Sequence, residues 1–141
     1  MNIEQALYSY LSSYSGLTAI VGYRIYPVIR PKDSSLPAVV FQKISDSPFH
    51  TLEKDPSFTR SRFQFTGWAK DIDGGASGYA QCKDIAAQLK AALRDCSGIM
   101  GGEGGIDVSG VLLENESDGY EDSTDEYRCD LDFFIFHEGG D

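Results

Sequence analysis

The sequence has few basic residues and no long apolar segment. Lys and Arg together number 12 against 22 Asp and Glu, which gives a formal net charge of −10 at pH 7. This charge repels nucleic-acid phosphates and anionic membrane surfaces, so it argues against a sequence-specific DNA-binding protein.

No segment approaches the roughly 18 apolar residues that a membrane-spanning helix needs. The N-terminal MNIEQALYSYLSSY lacks the basic flank and apolar core of a signal peptide. We expect a protein without a membrane partner that stays in the compartment where it is made.

Cysteine is also scarce. Cys82, Cys96 and Cys129 are an odd number and have no paired spacing of the kind that zinc sites use. We therefore predict neither a disulfide framework nor a metal site, which fits a reducing cytoplasm. We interpret the three side chains as packing residues.

No recognisable catalytic motif is present. The only histidines, His50 and His137, have no partner at a meaningful local spacing, and we interpret both as surface residues. The Gly-rich segment from Gly98 to Gly110 lacks the lysine and the spacing of a phosphate-binding loop. The sequence predicts no catalytic residue, no cofactor and no metal, and hence a protein that is not an enzyme.

The composition predicts one folded domain that spans residues 1–141. With 41% hydrophobic and 12% aromatic residues, a chain of this length can bury one core. Apolar residues at helical spacing predict a first helix that Asn2 caps and Gly16 ends, and a second helix over residues 79–95. The short RIYPV segment reads as an edge strand because Pro27 cannot donate to a sheet ladder.

Four longer strands are predicted, over residues 38–45, 59–69, 106–113 and 127–136. In the second of them Arg60 and Arg62 alternate with Phe63 and Phe65, so one face of the sheet should be polar and carry arginine. The predicted fold class is α+β: a single domain in the order αβββαββ, with a mainly antiparallel sheet and two helices packed on it.

Two polar segments are predicted to be loops. The first, over residues 46–57, displays Phe49 and Leu52 on either side of His50, although an exposed loop gains nothing from apolar groups. We interpret Phe49, His50 and Leu52 as a partner interface.

The second predicted loop, over residues 114–126, is acidic and has no basic residue. It aligns imperfectly with a calcium-binding loop, because its glutamates are too long and its flanks read as strands. We interpret it as a solvated hairpin loop that its own charges keep extended. Its acidic residues are Glu114, Glu116, Asp118, Glu121, Asp122, Asp125 and Glu126.

A family resemblance rests on the segment from Leu17 to Ser45, LTAIVGYRIYPVIRPKDSSLPAVVFQKIS, and on the RFQF-x-x-W-A run that begins at Arg62. A helix end, an edge strand, a loop that ends in Leu-Pro and a buried strand follow in that order. Together with the Ala-rich helix after them, these elements resemble the small tail completion proteins of long-tailed bacteriophages, also called tail-to-head joining or tail terminator proteins.

The resemblance implies a structural protein that closes into a ring, a hexamer as in the family, on the head-proximal end of the tail tube. Its implied partners are itself, the tail tube protein and the head-tail connector protein. It implies assembly in the host bacterial cytoplasm and a final place in the virion at the head-tail interface. It also implies a channel through which DNA passes, and we expect the acidic segment at residues 114–126 to line or border that channel, where its charge repels DNA. The alternative is a free-standing module that binds a protein or peptide through the strand edge near Tyr26.

Overall fold

The structure, a computed structural model, describes residues 1–49, 58–72, 77–94 and 96–138; the side chains at 48, 49 and 58 are outside the description. Within these residues the chain forms three helices and six strands in the order ααβββαβββ. They are α1 (Ile3–Ser12), α2 (Ser15–Val21), β1 (Ile25–Pro27), β2 (Ala38–Phe49), β3 (Phe58–Lys70), α3 (Gly78–Leu93), β4 (Gly98–Met100), β5 (Ile106–Glu121) and β6 (Glu126–Glu138).

One six-stranded sheet runs in the order β1-β2-β3-β6-β5-β4. β1 pairs with β2 in parallel, and all the other pairs are antiparallel. The predicted α+β class is therefore confirmed. The predicted element order lacked α2 as a separate helix and lacked β4 altogether.

The N-terminal helices begin and end where local hydrogen bonds allow. Asn2 caps α1: its Oδ1 accepts from the Gln5 N–H at 2.8 Å, and Gln5 Oε1 accepts from the Asn2 N–H at 2.9 Å. The first helix was predicted to extend to Gly16, but it ends at Ser12 because the chain turns at Tyr14 into α2. Gly22 then ends α2 with a φ of +61°, which glycine adopts without steric cost.

The core lies between the helices and one face of the sheet. Phe63, Phe65 and Phe133 are fully buried there, and Leu89 of α3 is also fully buried. Side chains on the opposite face of β3 stay partly exposed, so the predicted alternation of this strand is confirmed. None of the helices in the described part of the chain is long and apolar enough to span a membrane.

Several predicted loop residues are in fact part of the sheet. β2 continues to Phe49, four residues beyond the predicted end, because Asp46 pairs in register with Ser61 of β3. β5 continues to Glu121, eight residues beyond its predicted end, because β6 pairs with it along this whole length. β4 and β5 are joined by a tight glycine turn in which Gly102 and Gly104 have positive φ.

Candidate interaction surfaces

The sheet face that points away from the core carries charged and aromatic side chains in contact with one another. Arg62 of β3 donates from Nη2 to Asp132 Oδ2 of β6 at 2.8 Å. The guanidinium of Arg60 lies 4.8 Å from the ring centroid of Phe134, a distance typical of a cation–π contact. The predicted arginine-bearing face therefore exists. One ion pair bridges β3 and β6 across it, while Arg62 Nε and Asp132 Oδ1 are buried without a hydrogen-bond partner among the described residues.

The predicted partner interface of Phe49, His50 and Leu52 is largely outside the described residues. The backbone of Phe49 ends β2 and pairs with Phe58 of β3. His50 and Leu52 lie outside the described ranges. The interface remains a prediction from the sequence.

The acidic segment is not the predicted loop over most of its length. Residues 114–121 form the second half of β5, the turn is confined to residues 122–125, and Glu126 begins β6. Alternation along β5 places Glu116 and Asp118 on the side of the sheet that faces α3, opposite Leu131 and Cys129.

Lysines of α3 neutralise these two carboxylates. Lys83 Nζ lies 3.3 Å from Glu116 Oε2 and 3.2 Å from Asp118 Oδ1, and Lys90 Nζ lies 3.0 Å from Glu116 Oε1. The hydrogen bond from Lys90 is the main reason that the pKa of Glu116 lies below its usual value. For Asp118 the hydroxyl of Tyr79, which donates at 2.7 Å, lowers the pKa most.

Arginines partner two further acidic residues of the segment. Arg128 forms an ion pair with Glu121, and Arg30 Nη2 lies 2.7 Å from Glu126 Oε1. Because four of the seven acidic residues have basic partners, the segment carries less uncompensated charge than its composition indicates. The hairpin turn itself carries Asp122 and Asp125, which are exposed; the carboxylate of Asp125 accepts a hydrogen bond from the Tyr120 hydroxyl at 2.9 Å.

His137 is not the surface residue that the sequence predicted. It is 2% exposed and lies with its Nε2 atom 2.7 Å from the Oγ of Ser61. The same hydroxyl donates to Asp46 Oδ1 at 2.5 Å, and Lys43 Nζ lies 3.0 Å from the other carboxylate oxygen. Sequence reasoning missed this cluster because its members lie on three different strands.

The Ser61, His137 and Asp46 cluster is not arranged as a nucleophilic triad. In such a triad the imidazole lies between the hydroxyl and the carboxylate, so that it can take the hydroxyl proton. Here the hydroxyl of Ser61 lies between the carboxylate and the imidazole, and Ser61 is 0% exposed. A substrate cannot reach the oxygen, and the cluster acts as a buried polar contact between β2, β3 and β6.

Burial of His137 predicts a loss of stability in mild acid. Burial lowers the pKa of His137 below its usual value, although the Glu138 carbonyl and the Asp46 charge oppose the effect. The unfolded chain therefore takes up a proton near pH 6.5 that the folded chain resists, so the free energy of unfolding should fall as the pH drops through this range. We expect the fall to be smaller in His137→Gln, as measured by urea denaturation between pH 7.5 and 5.5. Parallel curves for the two proteins would contradict this placement.

Two of the three cysteines are packing residues in the core, as the sequence predicted. Cys82 and Cys129 are buried, and the Sγ of Cys82 donates to the carbonyl of Tyr127 at 3.2 Å. Cys96 is half-buried beside Tyr10. Within residues 1–49, 58–72, 77–94 and 96–138, no three His, Cys, Asp or Glu residues are placed to share a metal ion.

The β1 edge of the sheet offers few hydrogen bonds to an added strand. Arg24, Tyr26 and Val28 direct their backbone groups towards β2, as the bond from the Val28 N–H to Phe41 O at 2.8 Å shows. The residues whose backbone groups point away from β2 are Ile25 and Pro27. The Ile25 N–H already donates to the carbonyl of Tyr23, and Pro27 has no N–H to donate.

Exposed apolar side chains nevertheless gather at the β1 edge. Tyr23 is 81% exposed and Ile29 is 76% exposed. Tyr8, Tyr23 and Pro27 line a groove of about 490 Å³ between α1 and β1. This edge is therefore suited to contact through side chains.

The opposite edge is formed by β5 beyond the short β4. β4 pairs only with Ile106–Val108, so from Gly110 onwards β5 has a strand partner on one side alone within the described residues. Leu112 is 57% exposed and Leu113 42% exposed beside a pocket of about 260 Å³ that Val111 and Phe133 also line.

Comparison with known proteins identifies the family. The model of the family described as tail completion protein gp17 matches residues 5–138. No curated protein matches the chain. A chain in the solved virion of a native gene transfer agent particle has the same fold: it is 20% identical, the alignment covers 97% of this chain and 95% of that chain, and the TM-score is 0.73. The chain thus belongs to the tail completion protein gp17 family and is a structural protein of the virion tail.

Proposed function

We propose that the protein caps the tail tube and joins the tail to the head connector as a closed ring. The observation that carries the proposal is the family match over residues 5–138, which covers all the helices and strands of the fold except the first two residues of α1. Assembly in the bacterial cytoplasm and a final position at the head-tail interface are parts of the same proposal.

A ring needs two different complementary surfaces on each subunit, because the contact repeats head to tail until it closes. The sheet supports this requirement: its two ends, β1 and the outer half of β5, both expose apolar side chains. Chains that meet through one self-complementary patch would stop at a dimer.

Two parts of the proposal assign roles to segments of the chain on the basis of the sequence. We call the segment that joins β2 to β3, with Phe49, His50 and Leu52, the tip; it would contact the tail tube, the connector or a neighbouring subunit. In the acidic hairpin the turn with Asp122 and Asp125 is the part suited to border the channel, because the strand residues before it are largely ion-paired. Uncompensated carboxylates there would repel the phosphates of passing DNA.

The alternative, a free-standing module that binds a peptide by strand addition near Tyr26, has little support from the geometry. An added strand needs outward N–H and C=O groups in alternation. At the β1 edge, Ile25 N–H is already bonded to Tyr23, Pro27 has no N–H, and the Pro27 carbonyl accepts from Ile29 at 2.7 Å.

Gene deletion and complementation test the proposed function. Deleting the gene from its phage or prophage should leave filled heads and tails that do not join, as seen by electron microscopy, and should abolish infectious titre. The wild-type gene should restore both. Joined particles in the deletion strain would contradict the proposal.

A second arm of the same experiment tests the tip. Complementation with the Phe49→Ser/Leu52→Ser variant should fail to join tails to heads, while the purified variant keeps the wild-type melting temperature. Ile72→Ser is the matched control, because Ile72 is an exposed apolar residue, 54% accessible, that follows β3. Normal titre from the double variant would show that the tip is ordinary surface.

A further inference from the structure

The segment between β1 and β2 lies across the outer face of the sheet. The chain leaves β1 at the edge of the sheet, and Arg30 Nη2 lies 2.7 Å from Oε1 of Glu126 at the start of β6. The same guanidinium lies 5.4 Å from the ring centroid of Trp68 in β3. We call residues 30–36 the strap, because they pass over β2 and β3 before the chain returns to β2.

The strap has few contacts with the sheet beneath it. Within the described ranges, Arg30 makes the only hydrogen bond that joins residues 30–36 to a strand. Residues 31–33 and 35 are exposed, and Arg30, Ser34 and Leu36 are half-buried. A cavity of about 580 Å³ lies between the strap and the outer faces of β2 and β3. A segment with so few buried contacts opens at a lower free-energy cost than the sheet itself.

The strap follows directly on a strained turn. Val28 has a φ of +67°, and the Ile29 N–H donates across it to the Pro27 carbonyl at 2.7 Å. A hydrogen bond of this span around a residue with positive φ forms a classic γ-turn, which is rare and strained. The β-branched side chain of Val28 adds to the strain. Since this turn bends the chain from β1 onto the face of the sheet, its strain favours a strap that leaves the face.

The contacts of Arg30 oppose this strain. Glu126 is 9% exposed, and Arg30 is its only basic partner in the described part of the chain. The cation–π contact with Trp68 adds to the ion pair. Contacts of these two kinds contribute little where water and salt reach them, so they are comparable in size to the strain of one turn. A small change can therefore shift the balance without unfolding the sheet.

We propose that the strap is a releasable cover, latched by Arg30 on Trp68 and Glu126 and held under strain at Val28. In the released state the Val28 turn relaxes, the sheet stays folded, and Trp68 and Glu126 become accessible on the outer face. The strap thus controls access to an aromatic ring beside a carboxylate, the two groups that hold a guanidinium in the latched state. This switch is a property of the single chain and does not depend on the proposed ring.

Trypsin cleavage of the native protein measures release of the strap. The strap has one cleavable bond, after Lys32, because Pro31 blocks cleavage after Arg30. When opening is fast relative to cleavage, the cleavage rate follows the population of the open state. Arg30→Gln removes the latch and should raise the rate. Val28→Asn should lower it, because asparagine adopts a positive φ more readily than valine.

Two controls separate release from other effects. Ile29→Asn makes the same polar replacement at the neighbouring exposed residue, which is not among the residues with positive φ, and should leave the rate after Lys32 unchanged. Cleavage after Lys90 in α3 should stay equally slow in all the proteins, because the sheet and helices remain folded. Equal rates after Lys32 in the wild type, Arg30→Gln and Val28→Asn would overturn the proposal. Faster cleavage after Lys32 that is matched after Lys90 would also overturn it.

Fluorescence of Trp68, the only tryptophan of the chain, gives an independent measurement. Sodium chloride screens the ion pair of Arg30 with Glu126, so added salt should shift the wild-type emission to longer wavelength and increase its quenching by acrylamide. Glu126→Gln should show the shifted emission already at low salt and should lose the response to salt. A salt response of the same size in Glu126→Gln and the wild type would show that this ion pair does not hold the strap.

Discussion

Leu89→Asp should prevent the protein from folding into a soluble form. Leu89 is 0% exposed at the centre of the face by which α3 packs on the sheet. The substitution removes a buried leucine, a loss of roughly 2–5 kcal/mol in comparable cores, and adds the cost of an unpaired buried carboxylate. Since whole domains are stable by only about 5–15 kcal/mol, these costs together approach or exceed the total. Expression trials should find the variant in the insoluble fraction.

Ala87→Asp on the same helix is the matched control. Ala87 is exposed, so its replacement costs only the lower helix propensity of aspartate, about 0.7 kcal/mol or less. This variant should be soluble and melt cooperatively, close to the wild type. A soluble Leu89→Asp protein with a native-like melting transition would show that α3 does not pack as described.

The sequence predicted those elements whose hydrophobic pattern is local. The buried face of α3 follows the helical repeat through Cys82, Ile85, Ala86 and Leu89, and the structure buries all four. Alternation likewise assigned Phe63 and Phe65 to the core face of β3. In both cases the residues themselves specify which side is buried.

The outer half of β5 could not be predicted in this way. Its residues, LENESDGYE, have low intrinsic strand propensity and a high density of negative charge. They form a strand because β6 provides a hydrogen-bonding partner along the full length and because Lys83 and Lys90 neutralise Glu116. These partners come from distant parts of the chain, so a local pattern does not reveal them.

Burial of His137 was missed for the same reason. Its neighbour Ser61 lies 76 residues away in the sequence and meets it only because β3 and β6 pair in this register. Asp46 joins the cluster because β2 extends past its predicted end. An error in the length of one strand therefore concealed a polar cluster in which Ser61 and His137 are buried.

Gly67 of β3 lies in tight contact with α3, and its replacement should be costly. A Cβ atom at Gly67 would lie 2.8 Å from Cγ2 of Ile85, which is shorter than real side-chain contacts allow. Gly67→Ala should therefore lower the free energy of unfolding by about 1–3 kcal/mol through overpacking, and Gly67→Val, which adds two more methyl groups, should lower it further. Urea denaturation of the purified variants measures both effects.

Gly110→Ala is the matched control, because Gly110 is also a strand glycine but no atom lies within 4 Å of its added Cβ. It should be neutral or slightly stabilising, since alanine loses less backbone entropy on folding than glycine.

A double-mutant cycle then tests the contact between Gly67 and Ile85 itself. Ile85→Ala removes the methyl group that the Gly67→Ala side chain would strike, so the double variant should lose less stability than the two single changes added together, by about 0.5–3 kcal/mol. Strict additivity would mean that α3 crosses the sheet elsewhere than over Gly67.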